Sequence, residues 1–247
     1  MVAILQQAFA AKRAVKIIAG LNNFDAGSVS RIVRAAERGG ATFVDIACEP
    51  TLVRMVRSLT DLPVCASAIE PEALLTAVRN GADAVEIGNF DSFYAEGRHF
   101  DAEIVLKLTR DTRDLIGDKI LLSVTVPHTL SLDEQVTLAV QLEQSGASLI
   151  QTEGGTSSNP THPGSLGLIE KAAPTLAAAY EIARAVNIPV LCASGLSAVT
   201  VPMALAAGAS GVGIGSAVNR LNDEIAMIAQ VRAIVEAVEA ASQLARR

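Results

Sequence analysis

The sequence predicts a single (β/α)8 (TIM) barrel spanning residues 1–247, and two observations support this prediction. Short, apolar, β-branched runs alternate with longer helical stretches from end to end, and no linker or change of composition divides the chain. The runs are almost continuously apolar, as parallel strands are when helices cover them. Eight such units in 247 residues match the usual length of this fold. A doubly wound parallel sheet is the alternative arrangement.

The predicted strands come in chain order, and each is followed by a helical stretch. They cover residues 15–19, 42–47, 64–67, 84–88, 120–126, 149–152, 189–193 and 212–215. The last helix runs from residue 224 to about 245 and is longer than its strand requires. It either covers the barrel or contacts a second copy of the chain, so a homo-oligomer stays open.

An internal repeat supports the barrel. A Gly-Ala pair introduces strands 2, 4, 6 and 8, starting at residues 40, 81, 146 and 208. Such a glycine ends a helix because it tolerates the left-handed conformation of the cap. Strands 3 and 7 share a Pro-Val start. Two similar half-barrels account for the pattern.

The repeat also predicts which side of each strand faces the barrel axis. Its equivalent apolar positions, residues 44, 85, 150 and 212, should face the helices. The positions between them, Asp45, Glu86, Gln151 and Gly213, then point into the barrel. Glu153 follows one step nearer the C-terminal face. Buried carboxylates are costly unless they are paired, so these residues need a cation.

Lys16 is the candidate cation, because it is the one lysine embedded in a predicted strand. If it points inward, it can neutralise Asp45 and Glu86. Such a set either transfers protons or forms a Schiff base, with pKa values shifted by burial, or it is a structural ion pair that plugs the barrel. Class I aldolases commonly carry their Schiff-base lysine on strand 6, where this chain has Gln151 and Glu153. Proton transfer is therefore the favoured interpretation for this lysine and its carboxylates.

Two loops after strands 7 and 8 predict a phosphate-binding site. Small residues dominate both loops, and the candidate ligands are Ser194, Gly195, Gly215 and Ser216. In many barrels these loops and a short extra helix bind phosphate through backbone amides, which side-chain-free residues let the oxygens approach. The alternative is a pair of tight turns that bind nothing.

Two longer insertions lie on the C-terminal face, where barrel active sites are found. Residues 89–100 hold half of all eight aromatic residues, which either pack the loop onto the barrel or stack on a ligand. Residues 153–167 form a predicted lid, or else a plain surface loop. His128 follows strand 5 and is a candidate acid or base, or a residue that hydrogen-bonds a loop carbonyl.

Composition excludes several classes of partner. The net charge of −6 and the lack of basic runs argue against nucleic acid. The longest charge-free stretch, residues 185–219, is interrupted by proline and glycine, so we expect no membrane span. The three cysteines have neither disulfide nor metal-ligand spacing. We therefore expect no metal site and a reduced, cytoplasmic setting.

Between strands 7 and 8 the chain resembles the phosphate-binding branch of (β/α)8 barrels, which includes thiazole synthase, the tryptophan synthase α subunit and flavin mononucleotide (FMN) barrels. Over its whole length it resembles a narrower family, the conserved-hypothetical plastid reading-frame proteins of cyanobacteria and algal plastids. The motifs that carry this second resemblance are residues 16–24 (KIIAGLNNF), 153–156 (EGGT) and 193–197 (ASGLS). The resemblance implies the barrel fold and a cyanobacterial cytosol or plastid stroma, and it leaves the substrate open.

The resemblance transfers a phosphate-binding role to Gly195, Gly215 and Ser216 only. The Asp-x-Lys-x-x-Asp set of the decarboxylase relatives is absent, because Asp45 is followed by the sequence IACE. We therefore expect an enzyme that binds a small phosphorylated metabolite, with proton transfer by Lys16 and the carboxylates. An FMN-binding oxidoreductase and a non-catalytic metabolite-binding barrel are the alternatives.

Overall fold

The computed structural model describes residues 2–154 and 158–244, which form a closed barrel of eight parallel strands in chain order. The strands are β1 (Ala14–Ile18), β2 (Phe43–Ala47), β3 (Val64–Ala68), β4 (Ala84–Ile87), β5 (Leu121–Val126), β6 (Leu149–Thr152), β7 (Val190–Ala193) and β8 (Gly211–Ile214). Each lies within one residue of its predicted bounds. Because β1 pairs with β8, the sheet closes and the (β/α)8 prediction is confirmed over the doubly wound alternative.

Helices cover the outside of the barrel and its amino-terminal end. They are α1 (Val2–Ala10), α2 (Ala26–Gly39), α3 (Pro50–Leu59), α4 (Pro71–Arg79), α5 (Asp91–Tyr94), α6 (Ala102–Ile116), α7 (Leu132–Gln144), α8 (Gly164–Ala185), α9 (Val201–Ala206), α10 (Ser216–Asn219) and α11 (Glu224–Leu244). Within residues 2–154 and 158–244, none of these helices is long and apolar enough to cross a membrane.

The main apolar core lies between the strands and the helices. The residues at the repeat's apolar positions, Val44, Val85, Ile150 and Val212, are all buried there, as the repeat predicts. Since side chains alternate along a strand, the residues between them face the barrel axis. The register of the repeat thus assigns the polar interior of the barrel correctly.

The amino-terminal end of the barrel is closed by α1, a helix that was not predicted from the sequence. Leu5 and Phe9 of α1 pack against the first inward residues of the strands, among them Phe43, Cys65 and Leu121. Phe9 and Phe43 meet edge to face, with their ring centroids 5.9 Å apart. This apolar layer shuts one end of the barrel, so the opposite, C-terminal end is the open one.

The C-terminal helix packs on its own barrel. Its Glu224 accepts hydrogen bonds from Arg34 and Arg38 of α2, at 2.9 and 3.1 Å. A Cβ atom on Gly39 would lie only 2.5 Å from the Val231 side chain, so a glycine is needed where α2 and α11 meet. The predicted helix from residue 224 therefore covers the barrel on this face.

We expect Phe9→Ala to lower the free energy of unfolding by about 3–5 kcal/mol, because it leaves a cavity in the layer that closes the barrel. Phe24→Ala is the matched control, since Phe24 is 61% exposed whereas Phe9 is 4% exposed. The control should change stability by less than about 0.5 kcal/mol. Urea unfolding of both variants measures the difference, and equal losses would show that α1 does not close the barrel.

Candidate functional site

A network of buried polar side chains fills the middle of the barrel. The Lys16 ammonium donates to Glu86 Oε2 at 2.7 Å and to Gln151 Oε1 at 3.0 Å. Gln151 Nε2 in turn donates to Glu86 Oε1 at 2.7 Å, and Ser123 Oγ donates to Glu86 Oε2 at 2.7 Å. The structure thus brings together Lys16 and Glu86, which the sequence selected from separate strands.

Asp45 lies beside this network but is less completely satisfied. Its Oδ1 is 3.7 Å from Lys16 Nζ and accepts a hydrogen bond from Ser67. Its Oδ2 is buried and has no hydrogen-bond partner among the described residues. Burial raises the pKa of Asp45 to about 6, although the nearby Lys16 ammonium opposes this shift.

Lys16 stays protonated in this surrounding. Burial alone would lower the pKa of its ammonium group, but the charges of Asp45 and Glu86 outweigh burial and raise the pKa above its ordinary value. A neutral amine is required for Schiff-base formation and for accepting a proton. Lys16 therefore provides a fixed positive charge inside the barrel.

The open end of the barrel holds a cavity of about 270 Å³, which we call the mouth cavity. Gln151 and Gly213 lie in its lining, close to the buried network. Among the described residues that line it, Lys16, Asp45 and Glu86 do not appear. These three sequence-predicted residues therefore lie beneath the mouth cavity, and Gln151 connects them to it.

The four predicted phosphate ligands, Ser194, Gly195, Gly215 and Ser216, all line the mouth cavity. Ser194 and Gly195 both have positive φ, 76° and 72°. A Cβ on Gly195 would lie 2.7 Å from the carbonyl oxygen of Lys171, so only glycine fits there. Within the described chain, the backbone N–H groups of Ser194 and Gly195 donate no hydrogen bond. They are available to a ligand.

Two cations that the sequence did not single out line the same cavity. Lys171 comes from α8, and Arg220 directly follows α10. Across residues 2–154 and 158–244, neither side chain forms an ion pair or a hydrogen bond. No motif reveals them, because the approach of α8 and α10 to the barrel mouth depends on tertiary packing.

Glu153 lines the mouth cavity and is almost completely buried. Its Oε1 accepts hydrogen bonds from Tyr94 Oη at 2.7 Å and from the backbone N–H of His128 at 3.2 Å. Its Oε2 is buried and lacks a hydrogen-bond partner in the described structure. Burial, together with the negative charge of Asp91, raises the pKa of Glu153 to about 7.

His128 and Asp91 lie next to Glu153. The His128 Nε2 atom is 2.8 Å from Asp91 Oδ1. Burial opposes the charged imidazolium, but the hydrogen bond to Asp91 and the negative charges of Glu153 and Asp91 together outweigh it and raise the pKa of His128. Asp91 was not predicted as a site residue, although its place in the insertion after β4 is a usable signal.

The aromatic residues of the insertion at 89–100 mostly pack it onto the barrel. Phe90 and Phe100 are buried and stacked, with their ring centroids 4.4 Å apart, and Phe93 packs beside them. Of the four, only Tyr94 reaches the site, where it donates a hydrogen bond to Glu153 and its ring stands nearly perpendicular to that of His128. Packing, rather than ligand stacking, explains this cluster.

The predicted lid at residues 153–167 is described only in part. Residues 155–157, which include two members of the EGGT motif, lie outside the described residues. Beyond them, His162 Nδ1 pairs with Glu170 at 2.6 Å and is exposed.

The family match covers almost the whole chain. A model described as "Protein of unknown function (DUF561)" matches residues 1–244. The chain belongs to this family. The uncharacterized protein ycf23 of Cyanophora paradoxa is 44% identical over 218 residues, which cover 88% of this chain and 89% of that protein. The resemblance drawn from the sequence motifs is therefore confirmed.

Solved structures share the barrel. Thiamine phosphate pyrophosphorylase from Pyrococcus furiosus has a TM-score of 0.59 at 20% identity, covering 94% of this chain and 98% of that chain. (S)-3-O-geranylgeranylglyceryl phosphate synthase from Thermoplasma acidophilum, in complex with its substrate sn-glycerol-1-phosphate, has a TM-score of 0.60 at 15% identity, covering 96% and 97%. At these identities the likeness shows the fold alone.

We expect Lys16→Met to cost about 3–5 kcal/mol of unfolding free energy, because it leaves Glu86 and Asp45 buried without a cation. The double variant Lys16→Met/Glu86→Gln removes one of these two uncompensated carboxylates and should recover part of this loss. Urea unfolding measures all three proteins. A single variant as stable as the wild type would show that the ion pair does not support the barrel.

Asp45 should make stability depend on pH. Its pKa is about 6 in the folded chain against an ordinary 3.8, so the folded state holds the proton more tightly. Its stabilising contribution is therefore fully present below about pH 4 and is lost as pH rises to about 6, by about 3 kcal/mol in total. Asp45→Asn should lack this dependence. A stability difference between the two proteins that is the same at pH 4 and pH 7 would contradict the assignment.

Proposed function

We propose that the protein is an enzyme that acts on a small phosphorylated metabolite bound in the mouth cavity. The observation that carries the proposal is that both cations and carboxylates line one cavity. Two cations, Lys171 and Arg220, line it together with Ser194, Gly195, Gly215 and Ser216, whereas Asp91 and Glu153 supply carboxylates to the same cavity. The phosphate is held by the first group, and the reacting end of the metabolite faces the second.

Several properties of the first group suit a phosphate monoester. Small residues let phosphate oxygens approach the backbone, and the N–H groups of Ser194 and Gly195 are available as donors. Lys171 and Arg220 have no carboxylate partner among the described residues, so an anion can take that place. Asn89 and Ser194, two of the three described non-glycine residues with positive φ, line this cavity. Such conformations concentrate at functional sites.

The size of the cavity favours a small metabolite. At about 270 Å³ it is slightly smaller than most ligand-binding cavities, which are roughly 300–1,000 Å³. This volume suits a glycerol or sugar phosphate better than FMN. The Thermoplasma synthase, a similar barrel solved with sn-glycerol-1-phosphate, supports the same class of ligand.

The chemistry that we propose is a proton transfer at the reacting end, of isomerase, lyase or synthase type. The groups placed there are Glu153 and the neighbouring His128. Lys16, Asp45 and Glu86 act from beneath, where the fixed ammonium orients the Gln151 amide in the cavity lining. We therefore assign these three residues a positioning role. The relative from Cyanophora paradoxa supports a cyanobacterial cytosol or plastid stroma as the place of action.

A thermal-shift screen tests the proposal with inorganic phosphate, sn-glycerol-1-phosphate, triose, pentose and hexose phosphates, and FMN. A ligand at about 100 times its dissociation constant adds about 2.7 kcal/mol, which raises the melting temperature of a chain this size by roughly 5–10 °C. We expect such a shift with at least one small phosphate ester.

The variants Lys171→Ala and Arg220→Ala should each lose most of that shift, because each removes a cation of the cavity. Lys119→Ala is the matched control, since it removes the same charge next to β5 at the opposite, amino-terminal end of the barrel. No shift with any phosphate ester, or equal shifts in all three variants, would overturn the proposed binding site. A shift with FMN alone would favour the flavin barrel.

A further inference from the structure

Three residues that the barrel brings together from distant parts of the chain form a group beside the mouth cavity. Asp91 begins α5, His128 follows β5, and Glu153 follows β6. One potential ligand atom from each lies within 4.8 Å of the other two. Ligands about 2.1 Å from one octahedral ion are roughly 3.0 Å apart when adjacent and roughly 4.2 Å apart when opposite. The group therefore has the dimensions of a cation site.

The hydrogen bonding of Glu153 is the second, independent observation. Tyr94 and the His128 backbone hold Oε1, which fixes the orientation of the carboxylate. This leaves Oε2 buried without a partner anywhere in the described structure. A buried carboxylate oxygen without a hydrogen bond destabilises the fold, so Oε2 needs a hydrogen-bond donor or a cation. A cation at the centre of the group would meet it.

The chemistry of the donor set indicates which cation fits. One imidazole and two carboxylates suit a divalent ion such as Mn²⁺ or Zn²⁺, since imidazole binds transition metals and carboxylates also accept harder ions. Tyr94 orients Glu153 in the way that outer residues orient metal ligands in known sites. Asp91 and Glu153 also line the mouth cavity, so open coordination positions would face the ligand there.

We propose that Asp91, His128 and Glu153 bind one divalent metal ion of the Mn²⁺ or Zn²⁺ class in the wall of the mouth cavity. The proposal rests on the proposed function, because it assigns the ion to the reacting end of the phosphorylated metabolite. There the ion would polarise a substrate oxygen as a Lewis acid, and with the ion bound Glu153 and His128 would promote the proton transfer through it, as its ligands, rather than accept the proton themselves. Sequence spacing could not reveal this site, because its ligands belong to three separate loops.

Electron paramagnetic resonance tests the site directly, because the six-line signal of free Mn²⁺ disappears when the ion binds protein. The full-length protein is first stripped of metal with a chelator and is then titrated with Mn²⁺. We expect one tight Mn²⁺ per chain in the wild type and more than a tenfold loss of affinity in His128→Gln and in Glu153→Gln. Tyr94→Phe, which removes the hydroxyl that donates to Glu153, should weaken binding by about 10-fold.

His162→Ala is the matched control, because His162 also pairs with a carboxylate, Glu170, yet it lies outside the group. Its affinity for Mn²⁺ should equal that of the wild type, and circular dichroism should show that every variant is folded. Absence of tight Mn²⁺ binding in the wild type, or unchanged binding in both ligand variants, would overturn the site.

The phosphate screen separates the two proposals when it is run on the same stripped protein. A phosphate-ester shift without Mn²⁺ binding overturns the metal site and leaves the proposed function standing. Mn²⁺ binding that the ligand variants abolish, without a shift from any phosphate ester with or without Mn²⁺, overturns the proposed function and leaves the cation site standing.

Discussion

The ion pair between Lys16 and Glu86, in the middle of the barrel, is the constraint on which the site depends. Most barrel interiors are packed with branched apolar residues. Here an ammonium 2.7 Å from a carboxylate occupies that place, and both side chains are fully buried. Such a pair is stable only when its remaining donors and acceptors are hydrogen-bonded. Gln151 of β6 and Ser123 of β5 form these hydrogen bonds. One end of this polar layer is closed by the apolar contacts of α1, and the other opens onto the mouth cavity.

Three layers with different roles follow one another along the barrel axis. The apolar layer under Phe9 closes the barrel, and the buried charge network above it holds Gln151 in the lining of the mouth cavity. The segments after β7 and β8 contribute backbone donors and Arg220, α8 contributes Lys171, and the segments after β4, β5 and β6 contribute carboxylates and an imidazole. A ligand with a phosphate at one end and a reactive oxygen at the other matches this polarity. The strands stay rigid while the loops carry the chemistry, as in other barrels.

The sequence predicted the features that follow from local pattern. The repeat shows which side of strands 2, 4, 6 and 8 faces inward, and so it identified Asp45 and Glu86. Lys16 was selected as the one lysine within a predicted strand, and Gly195 and Gly215 as members of the small-residue loops after strands 7 and 8. The sequence pattern does not show how far along the barrel axis a residue lies, because an inward residue of the middle layer and one at the mouth occupy equivalent positions in the pattern. The pattern therefore favours a catalytic role for Lys16, whereas its buried position favours a positioning role. The sequence did not predict Lys171, Arg220 and Asp91 as site residues. Helix and loop packing brings them to the cavity, and no sequence spacing indicates it. The helix α1 was not predicted because its two buried side chains, Leu5 and Phe9, give too short a pattern to read.

A crystal structure of the protein grown with sn-glycerol-1-phosphate would locate the phosphate group relative to the cations and the carboxylates of the mouth cavity. We expect phosphate oxygens within hydrogen-bond distance of the backbone N–H groups of Ser194 and Gly195, with Lys171 or Arg220 alongside and the glycerol hydroxyls towards Glu153. A phosphate bound beside Glu153 and Asp91, or a glycerol phosphate bound only outside the mouth cavity, would contradict this expectation.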